Sequence, residues 1–469
     1  MIHIAETITG RCRPQEAFNY LADFVNIQAW DPTVLAARAM NAGPPRRGMR
    51  FELKMQFGWR CVPMTYHLVE MDSPRRLVFF GRGASFRALD VIEIEPAPAG
   101  FRLNYTVGIA FDPPAGSRLQ GLAAPLVRAN ARRAIRRLQT ILGGNAAGLP
   151  KQTPVTGFAD RLVLPGLAEF TRLGYRLGHR RWPLTPRPLA GRRILLTGGT
   201  SGIGLAAARQ LLALGADLTL VGRNPDKTAA VVRRLRRHAP AAAIDFDIAD
   251  LSHLAAVRGL ARRLRRRDVP LHVLINNAGA LFNRREETPE GFERTLATDL
   301  LSPYLLTRLL RPLLAATPGA RIINVSSGGM YTQKIHPADL NHNRAVYDGA
   351  TAYARAKRGL VILSEVWAAD LKERRVSVHA MHPGWVDTPG LRSSLPGFYH
   401  LLRPLLRTPD EGADTITWLA ASPVAGRTSG FFWLDRKPRA THLLPGTRET
   451  ATERRMLLKA IDRLVAPYI

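Results

Sequence analysis

Tyr353 and Lys357 stand four residues apart in YDGATAYARAK, so on a helix they share one face. A free tyrosine has a pKa of about 10, too high for acid–base work near neutrality. A neighbouring ammonium favours the phenolate and lowers that value. A phenol tuned in this way can donate a proton to a carbonyl oxygen, or remove one from an alcohol in the reverse direction. Ser326-Ser327 closes a strand-like run at Arg321 to Val325, and the Ser327 hydroxyl can hold the same oxygen by a hydrogen bond. A lone Tyr–Lys pair at this spacing is usually a surface helix pair. What precedes it in the chain decides.

What precedes it is a nucleotide-binding turn. Ile194 to Leu196 read as a short buried strand, Thr197 to Gly204 as a turn with four glycines, and Leu205 to Leu214 as an apolar helix stopped by Gly215. Strand, glycine-rich turn and helix open a dinucleotide-binding βαβ unit, here spaced TGxxxGxG rather than GxGxxG. Gly198, Thr200, Ser201, Gly202, Ile203 and Gly204 would border the pyrophosphate, with the free N–H groups and partial positive charge of the helix start facing it. An oxidised nicotinamide, being cationic, would push the Tyr353 pKa in the same direction as Lys357. Arg223 follows the second strand, about twenty residues past the turn. An acidic residue there suits the ribose of NAD; an arginine suits the 2′-phosphate of NADP. NADP(H) is therefore the expected cofactor, with NAD(H) as the alternative if Arg223 is only one more solvated arginine.

The elements needed to carry these residues are present. Residues 191–445 alternate strands with helices: Leu218 to Gly222, Ala241 to Asp247, Leu271 to Ile275 running into Asn276-Asn277-Ala278-Gly279, Arg321 to Val325, and Val376 to Met381 ending at His382-Pro383-Gly384. That order predicts an α/β Rossmann fold, a doubly wound parallel sheet with right-handed crossovers. Ligands to such a sheet bind at the strand C-termini, where every turn just named sits.

TGGTSGIG at 197–204, NNAG at 276–279, Ser326-Ser327, YxxxK at 353–357 and HPGWVDT at 382–388, in this order, identify residues 191–445 as resembling a short-chain dehydrogenase/reductase (SDR). The stretches SSGGMYTQK, MHPGWVDTPG and DRKPRATHL resemble the branch called dehydrogenase/reductase SDR family member 12. The resemblance implies that Lys357 grips the nicotinamide ribose and that Asn276, Ala278, Gly279, Pro383, Gly384 and Thr388 border the cofactor, Thr388 at its carboxamide. It implies that Asp250-Leu251 lies near the adenine, with Asp247 as the competing candidate. Two departures stand out. The family has an asparagine where this chain has Asp299, and an ionised carboxylate can accept but not donate in a proton relay. An insert around His336 to Asp348 lengthens the Ser327–Tyr353 interval and is expected to shape the substrate mouth.

Residues 1–145 read as a second, smaller domain. Ile2 to Ile8 alternate as a half-buried strand, a helix opens at Arg13-Pro14, and strand-like runs lie near Val34 to Met40, Met49 to Phe57, Val62 to Glu70, Arg76 to Gly81, Ala88 to Glu95 and Phe101 to Phe111. A long helix, Leu119 to Leu142, closes it. The order and the phrase AFNYLADFVNIQAWDP resemble the α+β helix-grip fold of START-like (SRPBCC superfamily) domains, which implies a cavity for an apolar ligand. Trp30, Phe51, Phe57, Trp59 and Tyr66 would line that cavity or simply fill the core. Residues 146–190 form a linker with an amphipathic helix at Leu167 to Leu177 carrying Arg172 and Arg176, read either as peripheral membrane contact or as an inter-domain strut. Pro186-Arg187-Pro188 extends it. Residues 446–469 form a terminal helix.

The chain has 469 residues, a formal charge of +30 and only Cys12 and Cys61. Two distant cysteines predict a reduced, cytoplasmic protein and no metal site. The start lacks the basic and apolar regions of a signal peptide, and no apolar run reaches transmembrane length. Arginines are spread along the whole chain and no nucleic-acid-binding motif accompanies them, so no specific nucleic-acid partner is expected. The expected function is an NADP-preferring oxidoreductase that interconverts a carbonyl and an alcohol on a small apolar, lipid-like substrate. A homo-oligomer through the SDR domain is compatible with this. The rival is a non-catalytic lipid-binding scaffold whose SDR domain only binds nucleotide; Asp299 favours it, whereas Ser327, Tyr353 and Lys357 oppose it.

Overall fold

A computed structural model of the chain describes residues 2–57, 60–84, 86–98, 100–111, 116–142, 170–179, 189–240, 242–343, 346–443 and 445–469. They fall into two units, Met1–Val163 with Lys437–Ala440, and Leu164–Arg436 with Thr441–Ile469. Phe57's side chain, Trp59, the first three residues of the expected helix at 167–177 and the proline-rich tether lie outside the described residues.

In the first unit, alternation does the folding. Ile2, Ile4 and Ile8 of β1 (Ile2–Gly10) point inward while Ala5, Thr7 and Thr9 face out. After the helix Pro14–Ala22 come β2 (Val34–Ala39), β3 (Arg50–Phe57), β4 (Arg60–Asp72), β5 (Arg76–Gly83), β6 (Phe86–Ala97) and β7 (Gly100–Phe111). They pair antiparallel in the order β1-β7-β6-β5-β4-β3-β2. The long helix Gly116–Ile141 offers Ala134, Ile135 and Leu138 to a core of Phe18, Phe51, Phe79 and Phe101, and turns Arg132, Arg133, Arg136 and Arg137 outward. Trp30 and Tyr66 are part of that core. This is the expected helix-grip arrangement.

The second unit is the expected Rossmann sheet. Strands β8 (Arg193–Thr197), β9 (Asp217–Gly222), β10 (Ile244–Ile248), β11 (Val273–Asn276), β12 (Arg321–Val325), β13 (Ser377–Met381) and β14 (Phe431–Leu434) run in the order β10-β9-β8-β11-β12-β13-β14. The pairs from β10 to β14 are parallel. The strands between β8 and β13 read as near-continuous apolar runs because helices cover both faces. The order reverses at β8, so β8 and its neighbour β11 flank the switch point where dinucleotides bind. The terminal helix Ala451–Val465 starts with a capping box of Thr450 and Glu453 and buries Leu457, Ile461 and Val465 in the core beneath the sheet. Among the described residues, no helix is long and apolar enough to cross a membrane.

Candidate active site

The glycine turn is built by close backbone packing. A Cβ on Gly204 would stand 2.2 Å from the Gly198 carbonyl oxygen, so nothing larger fits there. Thr197 Oγ1 accepts from the Asn277 and Ala278 amides, each at 3.0 Å, and Asn277 Nδ2 donates to the Thr197 oxygen at 2.9 Å. The NNAG segment is thereby clamped against the turn. The helix Gly202–Ala213 begins at Ser201, whose side chain makes no capping bond, leaving the first-turn amides available to an anion. The Thr200 methyl lies 3.1 Å from where a Gly222 Cβ would stand, and Thr388 packs against Gly202. Tight turn, uncapped helix start and converging threonines fit a dinucleotide.

At the second strand's end Arg223 is exposed. Burial raises the Asp250 carboxyl, but hydrogen bonds from Ser252 N at 3.0 Å and Oγ at 2.7 Å, with the Arg223 charge nearby, bring it below its ordinary value. Its rival Asp247 is taken: Arg263 and Arg267 hold its two oxygens at 3.0 and 2.9 Å. Leu251 packs against the core beside them. The Asn276 side chain is buried and donates to Asn324 Oδ1 at 2.8 Å and Thr307 Oγ1 at 3.2 Å.

The chemistry-bearing residues converge beyond β12. Ser327 follows that strand, and its hydroxyl accepts from the Gly329 amide at 3.2 Å and bonds the Tyr353 hydroxyl. Tyr353 and Lys357 share a face of the helix Gly349–Asp370, which Asp348 caps. Lys357 Nζ donates to the Val325 carbonyl at 3.1 Å and stands 5.5 Å from the Tyr353 ring centre. Asp299 is fully buried in a π-helical turn, Ala297–Leu301, with Oδ1 3.8 Å from Lys357 Nζ and accepting from the Ala280 amide at 3.0 Å. Its Oδ2 has no partner. Burial raises the Asp299 carboxyl to about 7, against the pull of Lys357. Gly279 is what lets these two groups meet, because a Cβ there would come within 2.7 Å of both.

Here the structure departs from the expectation of a lowered phenol. Burial and the Asp299 charge push the Tyr353 pKa up, while the Ser327 bond pulls it down. Burial is the largest cause, and Lys357 is itself engaged with Asp299 and the Val325 carbonyl. Near neutrality the phenol therefore carries its proton.

Sequence reasoning missed Arg407. It is 1% exposed, makes a fork to Asp435 at 2.6 and 2.8 Å, and donates to the carbonyls of Phe170, Thr171 and Pro383. It thus backs the Pro383-Gly384 turn of the HPGWVDT segment. The helix Arg172–His179 follows directly, and its Arg172 and Arg176 reach Glu411 at 3.3 and 3.4 Å, bracing the Rossmann unit. No motif in LLRTPDEG marks Arg407. The insert is laced down as well: Arg285 donates to the His342 carbonyl, and Tyr347 bonds Glu293 Oε1 at 3.0 Å and the Phe282 carbonyl at 3.1 Å. Among the described residues, no cluster of side chains could hold a metal ion.

The two units match different families. A family model for short chain dehydrogenases matches residues 192–396, and one for polyketide cyclase/dehydrase and lipid transport matches residues 1–143. Dehydrogenase/reductase SDR family member 12 from Bos taurus is 39% identical over 309 residues, covering 65% of this chain and 96% of that protein. Polyprenol dehydrogenase from Mus musculus is 36% identical over 268 residues, covering 55% and 79%. The structure of the Pseudomonas aeruginosa RhlG/NADP active-site complex shares 27% identity at a TM-score of 0.44, over 53% of this chain and 96% of that one.

Proposed function

Since the chain belongs to the short-chain dehydrogenase/reductase family of oxidoreductases, we propose that its C-terminal unit reduces a carbonyl to an alcohol on an apolar, lipid-like substrate, with NADP(H) preferred over NAD(H). The observation that carries this is the meeting of Ser327, Tyr353 and Lys357 at the strand ends beside an uncapped helix N-terminus.

When bound, the cofactor supplies the hydride. The first-turn amides of Gly202–Ala213 would face its diphosphate, and Arg223 would pair with a 2′-phosphate. Asp250-Leu251 would border the adenine, and the Pro383-Gly384 turn and Thr388 the nicotinamide end. Ser327 can donate its hydroxyl to the substrate oxygen, since the oxygen of that hydroxyl already accepts from Gly329. Tyr353 gives its proton to the same oxygen as negative charge develops there. Lys357, held by Val325, stabilises the phenolate left behind. The apolar substrate class rests on the similarity to polyprenol dehydrogenase and on the lipid-transport match of the N-terminal unit, for which we propose uptake of an apolar ligand.

A second reading, a nucleotide-binding scaffold without turnover, is favoured by Asp299 alone. NADPH consumption measured against a panel of apolar aldehydes and ketones separates the two: steady consumption supports the oxidoreductase, and tight NADPH binding with none across the panel supports the scaffold.

A further inference from the structure

Building on the oxidoreductase reading, we infer that Glu449 is a positioning residue for the reaction, holding through Arg358 both the Ser327 loop and the Tyr353–Lys357 helix.

Arg358 follows Lys357, so its side chain leaves the helix about 100° round from the lysine. It is 0% exposed, and a guanidinium does not shed its charge. Such a group is tolerated only where partners satisfy it. Its Nη2 and Nε reach Glu449 Oε2 at 2.8 and 3.3 Å. Nη1 donates to the Thr441 carbonyl and lies 3.3 Å from the Met330 sulfur. Met330 sits in the turn Gly328–Thr332, directly after Ser327. One guanidinium therefore touches the loop that starts at Ser327, the helix that carries Tyr353, and the C-terminal arm.

Among the described residues, Glu449 is the only carboxylate hydrogen-bonded to that guanidinium, and it has further duties. His442 Nε2 lies 2.8 Å from its Oε2, and Arg454 Nη1 donates to its Oε1 at 3.2 Å. Burial works against this carboxylate, but the His442 hydrogen bond and the two arginines hold it far below the usual range. Arg454 also reaches Glu365 at 2.7 Å, two turns beyond Arg358 on the same helix. The arm is thus fastened to the catalytic helix at two points on the side away from Tyr353. None of these bonds reaches the glycine turn. Loss of Glu449 should loosen the reacting groups and leave nucleotide binding alone, and displacements well under 1 Å are enough to slow a reaction.

The test uses the full chain with Glu449→Gln, which keeps shape and removes charge, and Glu449→Asp, which keeps charge. We expect Glu449→Gln to lower kcat about tenfold or more with NADPH Kd within about twofold, and Glu449→Asp to recover part of the loss. Hydrogen–deuterium exchange should quicken in peptides covering 326–332 while those covering 194–213 stay as in the wild type. Unchanged exchange at 326–332, or equal quickening in both regions, would overturn the inference. If the wild type reduces no carbonyl, the oxidoreductase reading fails, and the exchange measurement still decides whether Glu449 holds the Ser327 loop.

Discussion

Asp299 is where this site differs most from its family, and its effect can be followed by pH. Its carboxyl titrates near 7, and when ionised it raises the Tyr353 pKa. An ionised Asp299 therefore makes Tyr353 a poorer proton donor. Carbonyl reduction should slow as pH rises through about 7. In Asp299→Asn that falling limb should disappear from the kcat–pH profile, and an unchanged profile would remove Asp299 from the proton chemistry. Arg223 makes a separate prediction. Charge-assisted bonds contribute roughly 1.5–3 kcal/mol net, or about ten- to a hundredfold in affinity. Arg223→Asp should lose NADPH binding by more than this, because it adds repulsion, and should keep or gain NADH. The check is both dissociation constants at fixed ionic strength; equal weakening of both would make Arg223 an ordinary surface arginine. Ser327, Tyr353, Lys357 and the glycine turn were legible because each chemical role demands one residue type at one spacing. Arg407 and the inward turn of Asn276 were not, because their partners are brought together only by the fold.

Elements were readable where periodicity was long. All seven strands of the first unit and the first six of the second lie within a few residues of their expected places. The end of β14 escaped notice for a physical reason. Its two-residue turn, Asp435-Arg436, takes positive φ of 53° and 58° without the glycine that usually marks such turns. Ion pairs from Arg407 to Asp435 and from Arg436 to Asp414 hold it instead. The helix-grip sheet carries a pH-dependent element of its own. On β6, Asp90 is buried, accepts from the Tyr105 hydroxyl at 2.6 Å, bonds Tyr66 and lies near Asp31. Burial raises its carboxyl to about 7 from 3.8. The folded state therefore binds this proton more tightly than the unfolded chain. The stability it contributes is complete below about pH 4 and is lost as pH rises through about 7. Asp90→Asn should flatten that slope in thermal melts of the full chain followed from pH 5 to 8. An unchanged slope would place the titration elsewhere.

At the scale of the whole molecule, composition set the limits and motif order supplied the function. The net charge is +30, and many of the arginines are engaged with carboxylates, as Arg172, Arg176, Arg263, Arg358 and Arg407 show. The two units match different family models, one for polyketide cyclase/dehydrase and lipid transport and one for short chain dehydrogenases. The substrate itself was not legible, because the insert around His336 to Asp348 has no residue pattern tied to one chemistry. The central claim is that Tyr353 delivers the proton in a cofactor-dependent carbonyl reduction. Its most direct test is NADPH consumption by wild type and Tyr353→Phe on the same apolar aldehyde, with NADPH affinity measured in parallel. The account predicts a loss of kcat of at least ~100-fold with affinity nearly unchanged. Near-wild-type turnover in Tyr353→Phe would contradict it.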